Sequence, residues 1–299
     1  MRILFDNVFF GSRSGPNTFG TRLARSLSLR NHTVVEAHEN PDVQLTFIQA
    51  ANFPPKAPMV QRLDGIWFNS AQDWSAMNAP IMDTWEKSRA VIYQSEFDKK
   101  LIEKFFGHHA NAHVIHNGTD INFIQSCDPL DVPTLQGVDK IWACASAWRP
   151  HKRLKDNIRY FFEHSGPRDV LIIAGANPDV MIADPRIFYA GDLEHKMLIP
   201  LLRATDFFIH CAWLDHSPNI VVDARAAGAH IICSSSGGTS EIAGPDATII
   251  DEDLWEIAPC KLYEPPEMDF SRKVRNHWDV PIDITEKAEM YEKVLQGVI

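Results

Sequence analysis

No apolar run in this sequence approaches the ~18 residues that a bilayer-crossing helix needs, so no membrane-spanning helix is expected. The first residues, MRILFDNVFF, lack the basic start, long apolar stretch and small-residue cleavage site of a secretory signal, so none is expected either. Cysteine is scarce: Cys127, Cys144, Cys211, Cys233 and Cys260 are far apart and form no C-x-x-C pair. A disulfide framework or a zinc site is therefore disfavoured, and reduced, buried thiols in a cytoplasmic protein are expected. Basic charge is also short, with 29 Lys and Arg against 39 Asp and Glu, a net charge of −10. A chain of that sign repels a polyphosphate backbone, which speaks against nucleic acid as a partner unless a local basic patch intervenes. What remains is 299 residues with 45% hydrophobic and 23% charged side chains, the composition of a folded chain long enough for two ordinary domains.

Short apolar runs alternate with longer amphipathic stretches along nearly the whole chain. Arg2–Asn7 reads as a strand, followed by a helix over Thr18–Leu29 with Phe19, Leu23 and Leu27 at helical spacing. Further strand-like runs stand at Val43–Ile48, Met59–Arg62, Ala90–Gln94 and His113–Ile115, with a helix over Glu96–Phe106 for which Ser95 is the natural N-cap. The second half repeats the plan with runs at Lys140–Cys144, Val170–Ala174, Ile187–Tyr189, Phe207–His210 and His230–Cys233. Strands separated by helical segments predict parallel sheets packed between helices. Cys127–Asp139, with Pro129, Pro133 and Gly137, reads as a linker, which implies two α/β domains facing a cleft. Lys261–Phe270 is a Pro- and Glu-rich loop, and Ile284–Val294 a closing amphipathic helix with Ala288, Tyr291 and Leu295 on one face.

Two loops and one helix start carry candidate chemistry. The first, Gly11 to Gly20, spaces its glycines by four and five, which is not a G-x-G-x-x-G fingerprint. Gly15-x4-Gly20 is followed by Thr21-Arg22 rather than a lysine, so an ATPase phosphate loop is excluded. A glycine loop opening a helix presents free N–H groups to a ligand, and a simple tight turn fits the same residues. The second loop, Trp148 to Lys155, puts Arg149, His151, Lys152, Arg153 and Lys155 after a strand and before a helix. Ligands bind open α/β sheets at that position, and cations at a helix start oppose its dipole, so phosphate binding explains them better than stability does. The third segment, Leu214 to Gly228, starts a helix at Asn219 after Ser217-Pro218 and carries Asp215 and Asp223. Its first-turn N–H groups suit a diphosphate and Asp223 suits a ribose diol, while a plain cap and a solvated helix acid also fit.

Taken in order, six segments resemble family 4 retaining glycosyltransferases of the GT-B architecture. They are Gly15-Pro-Asn-Thr-Phe-Gly20, Val91–Phe97, Val114–Asp120, Trp148-Arg-Pro-His-Lys152, Asp215–Asp223 and Gly237–Ile242. The resemblance implies two Rossmann-like domains, an acceptor-side domain over 1–126 and a donor-side domain over 139–280, with 281–299 crossing back to the first. It implies metal-independent transfer of a sugar, of the hexosyl type, from a UDP- or GDP-sugar to a glycan or other small acceptor, with retention and without a cofactor. Asp64, Arg149, Lys152 and Asp215 would be the catalytic set. Gly15, Pro16, Asn17, Gly191, Asp192, Leu193, His216, Ser217, Pro218, Asn219, Ile220, Val221 and Asp223 would hold the donor. The base would lie near Gly191–Leu193, the ribose on Asp223, and the diphosphate between Arg149, Lys152 and the N–H groups of Asn219–Val221. Both acidic positions of the family's E-x7-E segment are aspartates here, and Ala147 stands where its arginine usually does, leaving Arg149 to take that contact. Asp64, in Gln61-Arg-Leu-Asp-Gly65, fits either a contact to sugar and acceptor or an Asp-Gly turn.

The remaining motifs read as structural. The histidines of Gly107–His113 and His116 lack carboxylate or cysteine partners at ligand spacing. Asp251-Glu-Asp253 reads as surface charge, and Asn117-Gly-Thr119 as a glycosylation sequon without a secretory context. A GT-B epimerase or phosphorylase, or a non-catalytic sugar-nucleotide-binding protein, would share these features, and peripheral membrane contact is compatible with them.

Overall fold

The computed structural model describes residues 1–131 and 137–299, so part of the expected linker, Pro133 included, lies outside the described residues. The chain divides into two compact units. The first is Met1–Asp120 with Ile257–Cys260 and Pro281–Ile299; the second is Ile121–Glu256 with Lys261–Val280. The division falls six residues before the boundary expected at 126. It also interrupts the span expected to run unbroken from 139 to 280. Ile257–Cys260 joins the first unit because the Cys260 N–H donates to Phe68 O (3.0 Å) and the Ser70 N–H to Cys260 O (2.8 Å).

The first unit contains β1 (Arg2–Asp6), α1 (Gly15–Leu29), β2 (Thr33–Val35), β3 (Val43–Phe47), β4 (Met59–Leu63), α2 (Trp74–Lys87), β5 (Ala90–Tyr93), α3 (Glu96–Phe106) and β6 (Ala112–Val114). Its sheet runs β2-β1-β3-β4-β5-β6, with every pair parallel. β3, β4 and β5 are buried along their whole length, as parallel strands covered on both faces must be, and this is why they read as apolar runs. Phe19, Leu23 and Leu27 of α1 pack with Leu45 and Phe47 of β3 and with Ala288, Tyr291 and Leu295 of the C-terminal helix Ile284–Gln296. Fully burying each such side chain contributes about 1.5–3 kcal/mol. The Ser95 hydroxyl accepts the Asp98 N–H at 3.0 Å and starts α3. α1 begins at Gly15, three residues before the expected Thr18, because Pro16 occupies its first turn and Ser14 is extended.

The second unit contains α4 (Ile121–Ser126), β7 (Ile141–Ala145), a 3₁₀ turn (Pro150–Lys152), α5 (Leu154–His164), β8 (Val170–Ala174), β9 (Ile187–Gly191), α6 (His195–Ala204), β10 (Phe207–His210), α7 (Asn219–Ala227), β11 (His230–Ser234), α8 (Thr239–Ile242), β12 (Thr248–Ile250) and β13 (Lys273–Arg275). Its sheet runs β13-β12-β11-β10-β7-β8-β9, parallel except for the antiparallel β12–β13 pair. The chain leaves β7 towards β9, then returns to the other side of β7 with β10. The carboxyl ends of β7 and β10 therefore flank the point where strand order reverses, which is where open α/β sheets bind ligands. Of the four three-residue strands, β2, β12 and β13 are too short to show a period in the sequence, while β6 was expected one residue later, at His113–Ile115.

Candidate functional site

In the second unit the site is built at that reversal point. After β7 the chain is tied across the sheet edge: the Trp148 N–H donates to Ala176 O (3.1 Å) and its indole Nε1–H to Ala174 O (3.0 Å). Gly175, at φ +113, passes so close that a Cβ there would lie 1.8 Å from Ser146 O, so only glycine fits. Pro150–Lys152 form one 3₁₀ turn, and Arg153 takes a left-handed conformation (φ +52) before α5 begins.

That bend separates the basic residues that the sequence groups together. Lys152 turns to the site, its Nζ 2.5 Å from Asp215 Oδ2. Arg149 is exposed, and its guanidinium makes no ion pair or hydrogen bond among the described residues. Arg153 turns away and is buried, with a two-pronged pair to Glu252 (2.9 and 2.7 Å) and a hydrogen bond to Pro266 O (2.8 Å). It belongs to the scaffold rather than to a phosphate site. His151 is buried too, stacked on Tyr263 with ring centroids 5.5 Å apart. Burial, reinforced by the Lys152 charge, pushes its imidazole down to about 3, so it is neutral at pH 7.

Asp215 is the centre of the arrangement. Leu214 precedes it at φ +53, a left-handed conformation that a branched side chain rarely takes and that sites hold at a cost. Its backbone is fixed by the glycine segment after β11: the Gly238 N–H donates to Asp215 O at 2.8 Å, and a Cβ on Gly237 would stand 2.5 Å from that oxygen. Its Oδ2 receives both Lys152 and the Nε2–H of His210 (2.8 Å), and its Oδ1 receives the His216 N–H (3.0 Å). Burial alone would raise the Asp215 carboxyl, but the Lys152 ammonium and the His210 hydrogen bond outweigh it and hold it well below the usual carboxylate range. Burial lowers the His210 imidazole, which therefore sits neutral between two charged neighbours.

α7 supplies the other wall. Ser217 and Asp223 are buried, and Pro218 enters the helix without a side-chain cap. The Val221 N–H donates to Pro218 O at 3.0 Å, so of the three first-turn N–H groups expected at a diphosphate that one is already committed. Asp223, 4% exposed, is not a solvated helix acid. Gly191 ends β9 at φ +68, its carbonyl accepting the Gly175 N–H (2.7 Å), and Asp192 follows it, exposed.

The other expected residues lie in the first unit. Gly15, Pro16 and Asn17 form the first turn of α1, and Asn17 Oδ1 accepts the Phe9 N–H at 2.9 Å, closing the loop on its own helix. Asp64 pairs with Arg62, which sequence reasoning passed over. The Arg62 guanidinium, 1% exposed, donates to Asn117 Oδ1 (2.7 Å), Gln94 Oε1 (3.3 Å) and Tyr291 Oη (3.1 Å), and lies 4.4 Å from the Phe19 ring centroid. Asn117 is therefore an internal hydrogen-bond acceptor. Asp6 was equally unreadable from sequence: buried at the end of β1, it accepts the N–H groups of Ala51 (3.0 Å) and Asn52 (3.1 Å) and the Asn52 amide (2.7 Å), fixing the loop after β3.

The acidic run 251–253 is split between two arginines: Arg272 holds Asp251 and Asp253 at 2.9 Å each, and Arg153 holds Glu252. His108 pairs with Glu103 (2.9 Å), and His109 and His113 bond to Ser88 O (3.0 Å) and Asn111 Oδ1 (2.8 Å). Among the described residues no helix is long and apolar enough to cross a membrane.

No protein-family model and no curated protein matches this chain. Solved structures do. HepE from Anabaena, crystallised with UDP and glucose, superposes with a TM-score of 0.69 at 15% identity, covering 99% of this chain and 100% of its own. Sucrose-phosphate synthase from Thermosynechococcus elongatus gives 0.62 at 11% identity, covering 99% and 97%. A glycosyltransferase from Rickettsia africae gives 0.60 at 12%, covering 99% and 98%. The chain has the two-domain α/β fold of the GT-B glycosyltransferases. At these identities the likeness defines a fold, and activity has to be argued from the site.

Proposed function

We propose that the protein is a glycosyltransferase that moves a sugar from a nucleotide-sugar donor to an acceptor hydroxyl with retention of configuration. One observation carries this reading: a cationic turn, Arg149 to Lys152, stands at the sheet's reversal point beside Asp215 and the amino end of α7. The neighbours support it, since one of them holds UDP and glucose, one is a glycosyltransferase by name and one a sucrose-phosphate synthase. A UDP-sugar, or the GDP counterpart, is the donor class we assign.

In this reading the second unit holds the donor. Negative charge grows on the diphosphate as the glycosidic bond breaks. The Lys152 ammonium, held by Asp215, and the first turn of α7 would stand where that charge develops and lower the barrier without reorganising, and the exposed Arg149 would close on the diphosphate from solvent. Lys152 needs an anchor for this, and Asp215 is that anchor: it fixes the ammonium by one oxygen. Asp215 and His216 would also meet sugar hydroxyls, Asp223 the ribose, and Gly191–Leu193 the base. In the first unit Asp64, backed by the buried Arg62, would meet the acceptor. Protein cations take the place of a metal ion, and the free cysteines fit a cytoplasmic setting.

The test is product analysis with a panel of UDP- and GDP-sugars, with and without acceptor sugars, in excess chelator. Transfer that continues in chelator supports the reading. Activity that stops and returns with Mn²⁺ or Mg²⁺ contradicts metal independence, and interconversion of the donor without an acceptor points to an epimerase.

A further inference from the structure

His210 ends β10 and is 3% exposed, in register with Cys233 of β11. It is not part of any segment that the sequence marks as chemical. Yet its Nε2 is 2.8 Å from Asp215 Oδ2, the same oxygen that takes the Lys152 ammonium at 2.5 Å. Three groups from three loops thus meet on one atom: Lys152 from the turn after β7, His210 from the end of β10, Asp215 from the loop beyond it. The His216 N–H holds the other oxygen, Oδ1, from the adjacent residue, and a carboxylate held only there and by one cation can still turn about its χ2 and carry the cation with it. A second donor on the same oxygen fixes the plane of the carboxylate, and so fixes where the ammonium points.

We infer that His210 is a positioning residue for the diphosphate, orienting Lys152 through the shared Asp215 oxygen; this rests on the glycosyltransferase reading above. The chemistry requires a neutral imidazole. A charged one would compete with Lys152 for the single negative charge of Asp215, whereas a neutral Nε2–H supplies direction without charge. Its buried position, which lowers the imidazole, provides that state. The charged groups that act on His210 are Asp215 and Lys152, and Asp215 also faces the neutral His151 on the turn after β7.

The experiment is a double-mutant cycle on nucleoside diphosphate binding to the full chain, by calorimetric titration with UDP and with GDP. His210→Leu is expected to weaken binding about tenfold, the scale of one hydrogen bond to a charged group. His210→Gln, whose amide nitrogen reaches the place of Nε2, is expected to bind within about threefold of the natural protein. His210→Asn, whose amide nitrogen matches Nδ1 instead, is expected to behave like the leucine variant. In a Lys152→Ala background, His210→Leu is expected to add nothing, because its effect runs through Lys152. Equal binding by all three His210 variants and the natural chain overturns the inference, and so does a full tenfold loss that persists without Lys152. If the natural chain binds neither nucleotide, or Lys152→Ala binds as well as the natural chain, the glycosyltransferase reading fails and the inference with it. The Gln and Asn variants keep the comparison meaningful should the leucine variant not fold.

Discussion

Lys152 and Asp215 are 63 residues apart in sequence, and their Nζ and Oδ2 atoms lie 2.5 Å apart in the fold. The pair is mostly buried, so removing one member leaves the other an uncompensated charge. Lys152→Ala is expected to cost about 3–5 kcal/mol of stability by urea denaturation. The same variant is expected to lower turnover at saturating donor by about 10²–10³-fold. Near-normal turnover would show that the ammonium does not serve the diphosphate.

Arg149 separates the two effects. It is exposed and unpaired among the described residues, so Arg149→Ala should change stability by no more than about 0.5 kcal/mol. If it takes the place of the arginine that Ala147 replaces, kcat still falls about 10²-fold. Arg149→Lys should recover only part of that, since an ammonium lacks the planar fork. Unchanged kinetics in Arg149→Ala would leave Lys152 as the sole side-chain cation in the role.

Asp223→Asn keeps size and one acceptor while removing charge. Nucleotide binding should weaken by about 1–3 kcal/mol, the range for hydrogen bonds to a charged group. The loss should shrink with a deoxyribose donor. An equal loss with both sugars would make the buried carboxylate a structural element of α7.

Arg62 holds together side chains from the residue after β5, the loop after β6 and the C-terminal helix. Arg62→Met keeps length but removes one donor from Asn117 and Gln94 and the cation from Asp64, and should cost about 3–5 kcal/mol. Native-like stability by denaturation would show that those groups find other partners.

Acid should weaken the second unit. His151 sits near 3 in the folded protein against 6.5 in the unfolded chain. Between those values the unfolded chain binds a proton that the folded one refuses. Its contribution is complete above pH 6.5 and is lost as pH falls towards 3. His210, lowered in the same direction, adds to this. The unfolding free energy of the natural protein should fall from pH 6.5 downward, and His151→Asn should reduce the slope by up to about 1.4 kcal/mol per pH unit. Identical slopes would place the histidine in water.

The apolar periods by themselves determined the strand and helix plan. Val43–Ile48, Met59–Arg62, Ala90–Gln94 and Val170–Ala174 read as strands because a parallel strand covered on both faces must be apolar throughout. Lys152, Asp215 and Asp223 stood out in the sequence as charged residues at a strand end and a helix start, and the fold brings the first two into one ion pair and buries the third. Three things were decided only by the tertiary structure. One left-handed residue, Arg153, divides a run of cations into site and scaffold, and no composition rule reveals a bend of that kind. Ile257–Cys260 leaves the second unit for the first, a choice made by backbone pairing with Phe68 and Ser70 rather than by side-chain pattern. Arg62 looks like an ordinary residue in an apolar strand because its partners Gln94, Asn117 and Tyr291 are distant in sequence, and His210 does because the Asp215 oxygen it meets is shared with the distant Lys152. Hydrogen bonds and ion pairs act over a few ångströms of space, and the sequence records distance only along the chain.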